Sequence, residues 1–239
     1  MSLSTVLHRS FYSPALGAEK RYCICLPPSY GMRQDVRYST LYLLPGLMDY
    51  ERTWVDKGRI HEHLDRLLNE GRIGELIVVM PDKDNAATDE AGESAFARYL
   101  AHDVIQHIDS TYRTIPVRHH RGIEGLSLGA GWTFRMLISC PQLFCSYGML
   151  SGGFDDEAPQ EFMQVREYLV RAGARFRVGV GLQEREALAN NQAFVTFLRQ
   201  QGFYAELDVM QGPHDWPLWK LQGYHTLQFH YYSFNPPRG

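Results

Sequence analysis

The segment Gly122-Ile123-Glu124-Gly125-Leu126-Ser127-Leu128-Gly129, continuing into Ala130-Gly131-Trp132-Thr133, decides the reading of this chain. Its first half reads as a short strand and its second half opens a helix. Between them stands a G-x-S-x-G sequence centred on Ser127. A serine on so sharp a strand-to-helix turn adopts a strained backbone, and the residues two away on either side must be small for the chain to double back. The turn lifts the Ser127 hydroxyl above the sheet edge. It also aims the Leu128 amide and the positive end of the helix at negative charge developing there. Ser127 is the candidate nucleophile.

Outward from this turn the pattern alternates. Leu41–Leu44 and Leu76–Met80 are short apolar runs that end at Pro45 and Pro81, as strands buried on both faces do. Ile60, Leu64, Leu67 and Leu68 recur at helical spacing between them, and Phe96, Leu100, Val104 and Ile108 mark a second helix. After the serine turn, Tyr147–Leu150, Phe176–Val180 and Tyr204–Met210 read as strands. Helices run around Phe162/Val165/Leu169, around Phe194/Val195/Leu198 and from about Trp216. Strands alternating with helices predict an α/β fold: a mostly parallel sheet covered on both faces. Apolar stretches at Thr5–Tyr12 and Arg21–Leu26 flank a turn at Pro14–Gly17 and predict an antiparallel hairpin at one edge. No repeat or linker divides residues 1–239, which read as one domain.

A serine hydroxyl attacks poorly until an imidazole takes its proton. The loop after the last strand reads Gln211-Gly212-Pro213-His214-Asp215-Trp216, so His214 stands at a strand's carboxyl end, where ligands of such sheets bind. The acid comes between Ser127 and His214 in the chain. Gly181-Leu182-Gln183-Glu184-Arg185-Glu186 follows a strand and offers Glu184 or Glu186; Asp155, Asp156 and Glu157 are a second source. A tetrahedral oxyanion needs two donors. The Leu128 amide is one, and the Leu47 amide, in Pro45-Gly46-Leu47-Met48-Asp49 after an early strand, is the other. Pro45 itself has no N–H to give.

The remaining composition narrows the alternatives. With 24 Lys plus Arg against 27 Asp plus Glu, the net charge is −3, which argues against a protein that tracks nucleic-acid phosphates. No run approaches the ~18 apolar residues of a membrane span. Met1–Ser10 lacks the basic and apolar regions of a secretory leader. Cys23, Cys25, Cys140 and Cys145 read as small thiols in a reducing, cytoplasmic compartment. Neither His61/His63 nor His119/His120 has the i, i+4 spacing of a helical metal pair; no metal or cofactor is expected.

These motifs together resemble the esterase D-type family of α/β-hydrolases, which includes S-formylglutathione hydrolases and feruloyl and acetylxylan esterases. The likeness runs through LPPSYG (Leu26–Gly31), TLYLLPG (Thr40–Gly46), LIVVMPD (Leu76–Asp82), GLSLG (Gly125–Gly129), PQLF (Pro141–Phe144), SGG (Ser151–Gly153) and PHDW (Pro213–Trp216). It implies an α/β-hydrolase fold with no large cap domain, Ser127 as nucleophile and His214 as base. The family's acid stands in G-x-x-D six residues before an asparagine; Gly181–Glu184 and Asn190 match that spacing, with Glu184 in the aspartate's position. Pro45 replaces the family's usual histidine, and Ala130 replaces a glycine. The implied activity is serine carboxylic-ester hydrolysis on small to medium acyl, aryl or sugar esters, without cofactor. An acyltransferase on the same triad and a silent binding protein of the same fold are the alternatives. The segments Asp82–Glu93, Asp49–Trp54 and Gly153–Pro159 are expected to shape the pockets, with Trp54 and Trp216 either lining the cleft or packing in the core.

Overall fold

The computed structural model describes residues 3–83, 95–154 and 157–236. Among the described residues eight strands form one sheet: β1 (Thr5–Ser13), β2 (Ala18–Leu26), β3 (Ser39–Leu44), β4 (Leu76–Pro81), β5 (Arg121–Leu126), β6 (Ser146–Leu150), β7 (Arg175–Gly181) and β8 (Tyr204–Met210), in the order β1-β2-β4-β3-β5-β6-β7-β8. β1 and β2 pair antiparallel, as do β2 and β4; from β4 to β8 every pair is parallel. The predicted hairpin and parallel sheet are both present.

Every residue of β3, β4, β5 and β6 is buried, because helices cover both faces. Alternation along the strands divides their side chains between two cores. Tyr42, Leu44, Ile77 and Val79 enter one core, beneath α4 (Leu128–Ser139), α5 (Ala158–Arg171) and α6 (Arg185–Gln200). Leu41, Leu43, Val78 and Met80 enter the other, with Trp54 of α1 (Thr53–Asp56), α2 (Ile60–Asn69) and α7 (Trp216–Phe234). Cys23 and Cys25 share this second face, and all four cysteines are free. Among the described residues no helix is long and apolar enough to cross a membrane.

Two features depart from the sequence pattern. The helix carrying Phe96, Leu100, Val104 and Ile108 contains a π-helical segment, Tyr99–Val104, running into α3 (Ile105–Thr111). A repeated step of four residues overshoots an α-helical turn of 3.6; a wider π turn absorbs the excess, and all four side chains stay buried. The second departure is ionic. Glu124 of β5 and Arg177 of β7 are wholly buried and pair at 2.9 Å. Gly148 on β6 leaves the room for this carboxylate, since a β-carbon there would overlap Glu124 Oε2.

After β3 the chain crosses to β4 on one side, then returns to β5 on the other. The carboxyl ends of β3 and β5 therefore form a topological switch point, where the loops diverge and leave a crevice. Gly46–Asp49 and Ser127 follow those two strands.

Candidate active site

Ser127 has φ 53° and ψ −120° and caps the N-terminus of α4. Such a backbone is costly for a residue with a side chain and persists only where its surroundings enforce it. They do so here. The Ser127 amide donates to the Leu150 carbonyl at 2.8 Å, and its own carbonyl accepts from Ala130 at 2.9 Å. Both glycines of the motif are needed for close approach. A β-carbon on Gly125 would lie 2.1 Å from the Gly129 oxygen, and one on Gly129 would lie 2.7 Å from the Pro45 oxygen. The second contact seats the serine turn directly against the loop after β3.

His214 lies in the loop after β8, its side chain about half exposed. Its Nε2 is 2.9 Å from Ser127 Oγ and its Nδ1 is 2.5 Å from Glu184 Oε1. Glu184, buried at the start of α6, also accepts from the Gly181 amide (2.6 Å) and the Ser151 hydroxyl (2.8 Å) through Oε2. Burial pushes its carboxyl pKa up, but hydrogen bonds from His214, Gly181 and Ser151 outweigh that and hold it below the ordinary glutamate range. An ionised carboxylate only accepts. It thus fixes the proton on Nδ1 and leaves the Nε2 lone pair facing the serine.

The structure brings the three distant side chains together, with Glu184 against His214. Glu186 is exposed in the first turn of α6. Glu157 precedes α5. Asp155, Asp156 and residues 84–93 of the Asp82–Glu93 loop lie outside the described residues. Asp215 caps α7 by accepting from the Leu218 amide. Asn190 is exposed, whereas its neighbour Asn191 is buried and donates to the Gly152 carbonyl at 2.7 Å.

A cleft of about 470 Å³ opens over Ser127 and His214. Gly46, Leu47, Met48, Lys57 and Trp216 line it. Among the described residues neither the Leu47 nor the Leu128 amide has an acceptor, so both are available to a ligand. Of the two tryptophans in question, Trp216 lines the cleft, while Trp54 is fully buried and donates to the Leu44 carbonyl. Sequence reasoning placed Asp49 in a pocket-shaping segment and Ser151 in the SGG motif without a role for either side chain, and did not single out Trp219. Asp49 accepts from Trp216 and Lys57, and Trp219 packs edge-on against the His214 ring at 4.9 Å.

Residues 13–224 match the family described as "Putative esterase". The chain belongs to the esterase family. The chain is 28% identical over 220 residues to an endo-1,4-beta-xylanase/feruloyl esterase of Xylanibacter ruminicola, covering 88% of this chain but only 29% of that protein. Its fold matches a ferulic acid esterase with a TM-score of 0.86, at 24% identity over 98% of this chain and 100% of the other. It also matches an S-formylglutathione hydrolase of Staphylococcus aureus with a TM-score of 0.73, at 18% identity over 95% and 98% of the two chains. The chain thus shares the fold of these structures over nearly its whole length.

Proposed function

We propose that this protein is a serine carboxylic-ester hydrolase working through Ser127, His214 and Glu184. The observation that carries this reading is the continuous chain from Ser127 Oγ to His214 Nε2 and from His214 Nδ1 to Glu184 Oε1. His214 Nε2 takes the hydroxyl proton as Ser127 Oγ attacks the acyl carbon. Charge on the carbonyl oxygen is held by the Leu47 and Leu128 amides and by the positive end of α4. The C–O bond to the alcohol then breaks, and the alcohol leaves with the proton from His214. Water repeats the cycle on the acyl-enzyme, His214 taking its proton and returning one to Ser127. The carboxylate of Glu184 stabilises the imidazolium formed in each half-reaction.

The cleft favours small to medium esters with an apolar or aryl portion. Leu47 is 61% exposed and Met48 81%, and with Trp216 they form an apolar rim beside the serine. Feruloyl and related aryl esters fit this description, in keeping with the names of the relatives, and the unpaired cysteines suit a reducing compartment such as the cytoplasm. Held below its ordinary range, the Glu184 carboxyl is ready for charge stabilisation, which favours an enzyme over a silent binding protein. Incubation with a fluorophosphonate is expected to label Ser127 and to abolish release of p-nitrophenol from p-nitrophenyl acetate. A folded protein with neither labelling nor turnover above a Ser127→Ala control overturns the proposal.

A further inference from the structure

Three bonds converge on the end of β6 and the two residues after it. Leu150 accepts from the Ser127 amide, Ser151 donates to Glu184, and Gly152 accepts from Asn191. At the centre Ser151 has φ 50°, a left-handed backbone that a serine adopts only at a cost. Its side chain is buried, and its amide is tied to the Gly179 carbonyl at 2.7 Å. The hydroxyl meets two partners: Glu184 Oε2 at 2.8 Å and Trp219 Nε1 at 2.9 Å. Their chemistry leaves one direction for the protons. Indole N–H only donates and an ionised carboxylate only accepts, so Trp219 donates to Ser151 and the Ser151 proton points at Glu184. The Trp219 ring meanwhile stands at 85° to the imidazole of His214, 4.9 Å away. One indole thus meets His214 directly and reaches Glu184 through the Ser151 hydroxyl.

We infer that Ser151 and Trp219 are positioning residues for the triad, a directed relay that locks the longer glutamate side chain at position 184 into the orientation an aspartate would need less help to hold. Glutamate carries one more rotatable bond than aspartate, so its carboxylate has more orientations to lose. The relay and the Gly181 amide engage Oε2, which leaves Oε1 for the imidazole alone. Without them the carboxylate rotates away and the imidazolium loses its fixed counter-charge during catalysis. This inference rests on the triad reading above.

The test is steady-state hydrolysis of p-nitrophenyl acetate by Ser151→Ala, Trp219→Phe and the double variant, with thermal melting to establish that each is folded. Ser151→Ala is expected to lower kcat about tenfold, the scale of one hydrogen bond to a charged group, with KM unchanged. Trp219→Phe keeps the ring against His214 but removes the donor, and is expected to lower kcat alone by a smaller factor. The double variant is expected to be no worse than Ser151→Ala, because both substitutions cut one chain. Wild-type kcat in Ser151→Ala, losses that multiply in the double variant, or a change confined to KM overturns the inference. Should Ser151→Ala fail to fold, an unchanged kcat in Trp219→Phe overturns it equally. Failure of the triad reading is distinct: the wild-type protein itself then neither turns over the ester nor reacts with a fluorophosphonate.

Discussion

Trp216 donates its indole N–H to Asp49 Oδ1 at 3.2 Å, tying the first turn of the last helix to the loop after β3. Lys57 reaches the same oxygen at 3.3 Å, and its ammonium lies 5.9 Å from the centre of the Trp216 ring. Asp49 is the hub of this wall of the cleft and sits two residues from Leu47, whose amide is proposed to hold the oxyanion. Asp49→Ala removes both ties. Displacing a catalytic donor by about 1 Å costs up to about a hundredfold, so kcat/KM for an aryl ester is expected to fall on that scale. Trp216→Phe keeps the ring and loses only the tie, and is expected to fall less. Parallel assays of both variants check this; wild-type kcat/KM in Asp49→Ala refutes it.

Glutamate in the acid position has a length requirement. Glu184→Asp draws the carboxyl back by one C–C bond, about 1.5 Å, which breaks the 2.5 Å contact to His214 Nδ1 and the contacts of Oε2. Activity is expected to drop even though aspartate is the residue the family prefers. Glu184→Gln keeps the length but offers an amide, which admits the wrong imidazole tautomer; the loss is expected to approach about 10⁴-fold in kcat. Turnover of p-nitrophenyl acetate by the two variants measures both, and an unimpaired Glu184→Asp variant contradicts the account of how the glutamate is seated.

Much of this was legible because the central strands announce themselves. Leu41–Leu44 and Leu76–Met80 are apolar on both faces and each stops at a proline, and the glycines of 125–129 admit only a tight turn. Ser127, Glu184 and His214 each follow a strand, so a parallel sheet carries them to one edge, where their contacts are observed. The partners of these residues were harder to read. Ser151 and Trp219 are 68 positions apart, and nothing local distinguishes an indole that donates to a buried serine from one that only packs. Trp54 and Trp216 looked alike for the same reason. Glu124 and Arg177, 53 positions apart, carry charges that a local pattern assigns to a solvated surface; only strand order brings them together in the core. The π segment at Tyr99–Val104 follows from the four-residue apolar step of Phe96, Leu100, Val104 and Ile108, a spacing close enough to 3.6 to pass for an ordinary helix.

The buried Glu124–Arg177 pair has a stability consequence. Arg177 also donates to Asp208 at 2.5 Å and to Thr226 at 3.2 Å. Arg177→Met fills much of the same space but leaves Glu124 buried without its counter-charge. Breaking such a pair from one side costs about 3–5 kcal/mol. Urea unfolding is expected to give a midpoint well below wild type, while fluorophosphonate labelling of Ser127 persists under native conditions. The double variant Glu124→Ala/Arg177→Met is expected to lose less than the sum of its single variants, since no unpaired carboxylate is left at position 124 and Asp208 keeps its bond to His225. Additive losses refute the coupling.

The same cluster contributes to acid sensitivity, in the same direction as His63, His107, His120 and Glu184, whose pKa values are also held down. Burial pushes the Glu124 carboxyl up, but the Arg177 charge and bonds from His230 and Thr226 prevail and hold it below its usual 4.5. Burial likewise opposes ionisation of Asp208, and His225 and Arg177 hold it below 3.8. The wholly buried His230 is pushed below 6.5, chiefly by desolvation. All three groups bind protons less readily folded than unfolded. Their contribution is therefore complete above the unfolded values and is lost as the pH falls through the folded ones. Melting temperature is expected to hold level near pH 8, to decline as the pH drops below about 6.5 when unfolded histidine begins to protonate, and to fall more steeply below about 4.5 as unfolded carboxylates follow. Arg177→Met reverses the sign for Glu124, because an unpaired buried carboxylate prefers its proton, so its melting temperature is expected to fall less on acidification. Thermal melts of both proteins from pH 8 to pH 3 decide the matter. A wild-type curve that is flat between pH 7 and pH 4, or a variant curve parallel to it, is incompatible with the cluster as a source.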